Sequence, residues 1–331
     1  MSLDGKILKA ARARLEQKKM DRQAEFDRRR GEVYRKNPRV REIDRQLRGS
    51  IADVISFALS HGRDPADAVG EIREENLELQ RARIEEIQTV GFPANYLDDS
   101  PMCSKCGDTG YDGTSICSCL MELYREEQRK ELSRMLDLGA DTFDTFNIDY
   151  YDDTPDPKTG VSPRGNMDFI YETCVRYAEK FGMAKMNLLL SGGTGLGKTF
   201  LSTCIAKAVS DKGFSVVYDT APELFARMED DKFGRGGDPD ALREDVERDF
   251  RCDLLIIDDL GTEMITAFTV SALYNLLNSR LVTGKKTVIN TNMPPEELRR
   301  RYSPQIASRL EGEYQLLRFY GRDIRLLKKE Q

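Results

Sequence analysis

LLLSGGTGLGKT, residues 188–199, decides the reading of this chain. Three leucines in a row predict a buried strand, and the glycines after it fit G-x-x-x-x-G-K-[ST] at every fixed position: Gly192, Gly197, Lys198 and Thr199. Behind the motif, Phe200, Leu201, Cys204, Ile205, Ala208 and Val209 recur at helical spacing, and Lys212-Gly213 closes that helix. A strand, a glycine turn and a helix in that order are the context that turns the pattern into a phosphate cradle. Small residues let backbone N–H groups face phosphate oxygens, and the helix N-terminus adds partial positive charge. Gly192, Gly193, Thr194, Gly195, Leu196, Gly197, Lys198, Thr199 and Phe200 are therefore expected to bind a nucleotide. Lys198 would reach the β- and γ-phosphates, and the Thr199 hydroxyl would hold Mg²⁺.

Such a loop needs an acidic partner on a neighbouring strand. LLIIDD, residues 254–259, supplies four apolar residues and then two carboxylates at the strand's end. Asp258 would hold magnesium through water, and Asp259 would orient or deprotonate the attacking water. ATP hydrolysis follows as the expected chemistry. Further strands are predicted at 215–218, 287–290 and 316–320, and Thr220 with Glu223 forms a capping box ahead of another helix. The alternation predicts an α/β fold with a mostly parallel sheet covered by helices on both faces.

The first half reads differently. Residues 1–50 carry 16 Lys/Arg against 8 Asp/Glu, whereas the whole chain of 331 residues is net −6. Good helix formers fill 1–35, Asn37-Pro38 breaks the run, and Val40, Ile43, Leu47, Ile51, Val54, Ile55 and Ala58 resume it at spacings of three and four. Gly62 and Pro65 punctuate again, and a third helix is anchored by Val69, Ile72, Leu79, Ile84 and Ile87. A loop-rich stretch then carries Cys103-x2-Cys106-x10-Cys117-x-Cys119. Four soft thiolates close a tetrahedral structural zinc site, and Gly107, Gly110 and Gly113 permit the tight backbone it needs. Cys174, Cys204 and Cys252 fall in apolar patterns and read as core. The expected domains are a helical region (1–90), a zinc-binding module and helix (91–140), a linker (141–166) and the ATPase domain (167–331).

Composition excludes several classes. One histidine, His61, rules out poly-His metal sites and serine triads over most of the chain. No apolar run approaches a membrane span or a secretory signal, so a cytoplasmic protein without membrane association is expected. No N-K-x-D pattern supports a GTPase.

The loop, the LLIIDD strand, the polar strand end at 287–292 and the arginines beyond it resemble the AAA+ ATPases of DnaC/DnaI-type helicase loaders, with the closely similar IstB-type transposition helpers sharing this core. The resemblance spans roughly 167–327 and implies an AAA+ P-loop domain. By it, Asn292 would be the sensor of the γ-phosphate or water, Arg309 the finger entering a neighbouring subunit's site, and Arg325 the second sensor, with Arg322 its rival. A departure is Asp258-Asp259, where most AAA+ proteins have Asp-Glu; a slow, switch-like ATPase is consistent with the shorter carboxylate. CSKCGDTGY…CSCL also resembles the cysteine module of loaders from Gram-positive bacteria and their phages. The implied function is ATP-dependent loading of a hexameric DnaB-type replicative helicase onto single-stranded DNA, with self-association through AAA+ domains and ATP/ADP, Mg²⁺ and structural Zn²⁺ as cofactors. Phe225, Arg227, Lys232, Phe233 and Arg235 around the glycine loop 234–237 are DNA-contact candidates, although Phe225 and Met228 have helical core spacing. A transposition helper and a non-catalytic nucleotide-binding adaptor are the alternatives.

Overall fold

The computed structural model describes residues 3–60, 65–135, 141–155, 157, 160–235 and 238–328. His61, Gly62, Gly236 and Gly237, and the side chains of Ile51, Val54, Ile55, Ala58, Val69 and Ile72, lie outside the described residues. The chain forms two compact units, one of residues 12–120 and one of 1–11 with 121–331.

Helices α1 (Gly5–Lys36), α2 (Pro38–Ser60) and α3 (Pro65–Thr89) follow the three expected segments. The Asn37 side chain accepts from the Arg39 backbone N–H at 3.0 Å, and Pro38 opens α2 where its missing N–H costs nothing. Phe26, Val33, Val40, Ile87 and Leu97 form the core of unit 12–120. The cysteine-bearing stretch contains a short hairpin, β1 (Tyr111–Asp112) and β2 (Ser115–Ile116), inside what reads from the sequence as loop.

Helix α4 (Ser118–Met135) has its first three residues in unit 12–120 and the rest in the other unit, which also holds α5 (Pro163–Glu179), β3 (Asn187–Gly192), α6 (Lys198–Asp211), β4 (Val216–Thr220), α7 (Ala221–Phe233), α8 (Pro239–Arg251), β5 (Leu254–Leu260), α9 (Ala267–Val282), β6 (Lys286–Thr291), α10 (Pro295–Arg301), α11 (Pro304–Glu313), β7 (Tyr314–Phe319) and α12 (Ile324–Leu327). The five strands are parallel in the order β4-β5-β6-β3-β7. Side chains alternate between faces: Leu188, Leu190, Tyr218 and Ile256 join α5 and α6 in one core, while Leu189, Val217, Leu255 and Ile289 join α7 and α9 in the other. Two covered faces explain why the strands read as unbroken apolar runs.

The sequence predicts a strand over 254–257, and β5 continues three residues beyond it, to Leu260. Its register against β6 shifts between Ile257 and Leu260, and Asp259 there adopts φ +53°. The bulge lifts Asp259 off the ladder, exposed, while Asp258 stays 5% exposed. The Thr220 hydroxyl caps α7 by accepting from the Glu223 N–H, but it returns its own proton to the Glu223 carboxylate, so the box is one-sided.

Arg280 on α9 is fully buried. Its guanidinium donates to the carbonyls of Asp249 (2.7 Å), Cys252 (3.1 Å) and Lys286 (2.5 Å) and to Thr287 Oγ1 (3.0 Å), at the end of the sheet opposite the glycine loop.

Candidate functional site

The chain leaves β3 and returns at the far edge strand β4, so a crevice opens where the strand order reverses, outside the C-terminal ends of β3, β5 and β6. A cleft of about 400 Å³ lies there, lined by the glycine loop from Thr194 to Phe200, Asp259, Asn292 and Arg325. Lys198 donates to Gly192 O (2.8 Å), Gly193 O (2.7 Å) and Asn292 Oδ1 (2.8 Å). The structure thus brings together Lys198, expected from the motif, and Asn292, expected from the resemblance. Burial lowers the Lys198 pKa against the opposing pull of Asp258 and Asp259. Burial, and then the Asp258 charge, raises that of Asp259. The exposed Thr199 hydroxyl and the Asp258 carboxylate are hard oxygen donors, a set that suits magnesium.

The tail of the domain closes one side. Ile324 N–H donates to Gly195 O at 2.9 Å, and Asp323 caps α12 by accepting from the Arg325 N–H at 2.8 Å. Gly195 has φ +74°, and a Cβ on it would lie 1.8 Å from Asp323 Oδ1; only glycine fits. Arg325 therefore stands at the loop, close enough to act on Lys198 and Asp259 electrostatically.

The other wall comes from a segment that no motif marks. Phe146, Asn147, Tyr150 and Tyr151, from the segment expected to be a linker, line the cleft beside Phe200. Tyr151 donates to Leu196 O at 2.9 Å, and the Phe146 ring stacks on Tyr171 at 4.7 Å. An FNIDYY run carries no helical or strand period, so only its aromatic density hints at this role.

Residues 177–306 match the IstB-like ATP binding protein family model. The chain carries an IstB-like ATP-binding domain. Similarity extends to the replicative helicase loader DnaI of Bacillus subtilis, 24% identical over 233 residues, covering 63% of this chain and 70% of that protein. The chromosomal replication initiator DnaA of Wolinella succinogenes is 32% identical over 142 residues, 40% of this chain and 31% of its own length. This chain thus spans about a third of that initiator. A crystal structure of the DnaC helicase loader superposes with a TM-score of 0.45 at 19% identity, over 55% of this chain and 97% of that one.

Arg309, three residues past the stretch that matches the IstB-like model, lies outside the cleft of its own chain. It sits on α11, donating to Asn278 Oδ1 (2.7 Å) and the Tyr274 hydroxyl (3.0 Å), with its guanidinium 4.4 Å from the Tyr274 ring centroid. Of the DNA-contact candidates, Phe225 is buried in the core and Arg227 is committed to Asp219 and Asp249, so neither is free to meet a ligand. Lys232, Phe233 and Arg235 are exposed and share a cluster with Phe268. Lys232 Nζ lies 5.0 Å from the Phe268 ring, and the Arg235 guanidinium 5.3 Å from the Phe233 ring.

In unit 12–120, Cys103, Cys106, Cys117 and Cys119 place all four sulfurs within 4.8 Å of one another, with Cys103–Cys117 at 3.8 Å and Cys106–Cys119 at 3.5 Å. A tetrahedron with Zn–S of about 2.3 Å has sulfurs about 3.8 Å apart, so the donor set fits zinc. Asp108, 1% exposed, accepts from the Met102 and Cys103 N–H groups and braces the first knuckle. The Cys106 thiol is pushed down to about 6: burial opposes ionisation, but the Gly110 backbone and the neighbouring thiols outweigh it. Cys174, Cys204 and Cys252 are buried, as their apolar patterns predict. No helix among the described residues is long and apolar enough to cross a membrane.

Proposed function

We propose that this protein is an ATP-dependent loader of a hexameric DnaB-type replicative helicase onto single-stranded DNA, and that it hydrolyses ATP slowly at sites completed between subunits. The carrying observation is the cleft, where Lys198, Asn292, Asp259 and Arg325 converge on the glycine loop. In this reading Gly192, Gly193 and the loop through Phe200 cradle the phosphates of ATP or ADP, and the aromatic wall at 146–151 receives the base. Thr199 and Asp258 hold Mg²⁺, which supplies charge neutralisation on the phosphates. Lys198 neutralises the same charge, Asn292 positions the γ-phosphate or water, and Asp259 takes the proton of the attacking water. Arg325 answers the nucleotide in its own chain and Arg309 that of a neighbour, which requires self-association. The four cysteines hold a structural Zn²⁺, and the Lys232–Phe233–Arg235–Phe268 cluster offers rings and cations to a single strand.

The loader reading is favoured over a transposition helper because the similarity to DnaI runs over 233 residues, well beyond the ATP-binding core. Capture from extract with ATP-Mg²⁺, beside a Lys198→Ala control, tests it: recovery of the replicative helicase supports loading. A transposase recovered instead favours the helper, and no turnover with DNA and partner present favours an adaptor. Arg309→Ala protein that assembles yet hydrolyses ATP normally would sink the intersubunit site.

A further inference from the structure

Behind Asp258 lies a closed ring of buried polar side chains. Tyr218 on β4, 3% exposed, donates to Asp258 Oδ2 at 2.5 Å. Asn290 on β6 donates to Asp258 Oδ1 at 3.0 Å and to Ser202 Oγ at 2.8 Å. Ser202 on α6 lies 3.1 Å from the Tyr218 hydroxyl and 3.0 Å from Thr199 O. The Asp259 N–H adds a second donor to Oδ1 at 2.9 Å.

Apolar residues would fill this part of the sheet at no desolvation cost, whereas each of these groups is costly to bury unless paired. What the ring accomplishes is geometric. Thr199 and Asp258 come from different elements; α6 carries both Thr199 and Ser202, and the contacts Ser202–Tyr218 and Tyr218–Asp258 tie that helix to the carboxylate. Tyr218 also fixes which carboxylate lone pairs remain directed at the cleft.

We infer that Tyr218 is a positioning residue for the divalent cation of the nucleotide site, its hydroxyl, braced by Ser202, holding the Asp258 carboxylate in fixed relation to Thr199. This rests on the reading that Thr199 and Asp258 hold that cation.

The test is Mn²⁺ titration of the full chain with ADP, followed by electron paramagnetic resonance, alongside metal-free ADP binding and thermal melting. Tyr218→Phe keeps the ring and removes one hydrogen bond to a charged acceptor, so Mn²⁺ affinity should fall about tenfold while metal-free ADP affinity stays within about twofold. Ser202→Ala, which unties Tyr218 from α6, should weaken Mn²⁺ about threefold. A Tyr218→Phe protein that melts lower yet binds Mn²⁺ as the wild type does overturns the inference and leaves the tyrosine a purely structural role. Should Tyr218→Phe not fold, unchanged Mn²⁺ affinity in Ser202→Ala overturns it equally. Wild-type protein that binds ADP but no Mn²⁺ fails the underlying reading instead, and is recognised before any variant is made.

Discussion

Gly195→Ala is the sharpest test of how the cleft is built. A Cβ at Gly195 would sit 1.8 Å from Asp323 Oδ1 and 2.2 Å from its Cγ, so the carboxylate must move by more than an ångström. That oxygen is also the cap of α12, and the next residue's N–H is bonded to Gly195 O. The substitution therefore incurs about 1–2 kcal/mol for a side chain at positive φ, about 1 kcal/mol for the cap and about 1 kcal/mol for the hydrogen bond. The total, about 3–4 kcal/mol, includes the cost of releasing the tail from the loop, and that release removes Arg325 from the cleft. Binding of a labelled ATP analogue, read by fluorescence anisotropy, should weaken at least about tenfold. Gly312→Ala, on the exposed side of α11 and away from the cleft, is the control: nothing lies within 4 Å of its Cβ, and it should change affinity less than about twofold. Equal affinities for the two variants would refute the docking of the tail on the loop.

Three further outcomes are expected. Asp259→Asn, which tolerates φ +53° as Asp does, should bind ATP and lose hydrolysis. Because burial raises the Asp259 pKa, its ionisation costs the folded state once pH exceeds the ordinary carboxylate value. The nucleotide-free variant should therefore melt above wild type at neutral pH, the gap vanishing on acidification through that range in a calorimetric series. Elemental analysis should find one zinc per chain, and chelation, which removes about 10 kcal/mol or more of binding free energy, should expose unit 12–120 to limited proteolysis while the IstB-like domain resists. Tyr151→Phe removes the hydrogen bond to Leu196 O and should weaken nucleotide binding by about 1 kcal/mol in an isothermal titration.

What was legible in the sequence was local. Leu188–Leu190 and the glycine loop announce strand and turn because period and turn chemistry act over a few residues. Cys103 to Cys119 lie within 17 residues, so their convergence needs one knuckle and one hairpin. Features set by distant packing were not legible. Tyr218 reads as another apolar strand residue until β5 brings Asp258 beside it, and the segment at 146–151 reads as linker until Leu196 accepts from Tyr151. Arg227 looks like a free surface cation because its partners, Asp219 and Asp249, are separated from it by 8 and 22 residues. Bulge geometry at Asp259 likewise depends on how β5 meets β6, which no pattern within LLIIDD encodes.

Arg280 has a consequence for motion. Its guanidinium joins the end of α8, the turn into β5 and the start of β6, and separating any of these would leave buried carbonyls without donors. That end of the sheet is therefore an anchored pivot, and whatever rearrangement accompanies nucleotide exchange is confined to the loops at the opposite end. Amide hydrogen exchange should be slowest at 252–256 and 286–289, with rates there indifferent to whether ATP, ADP or nothing is bound.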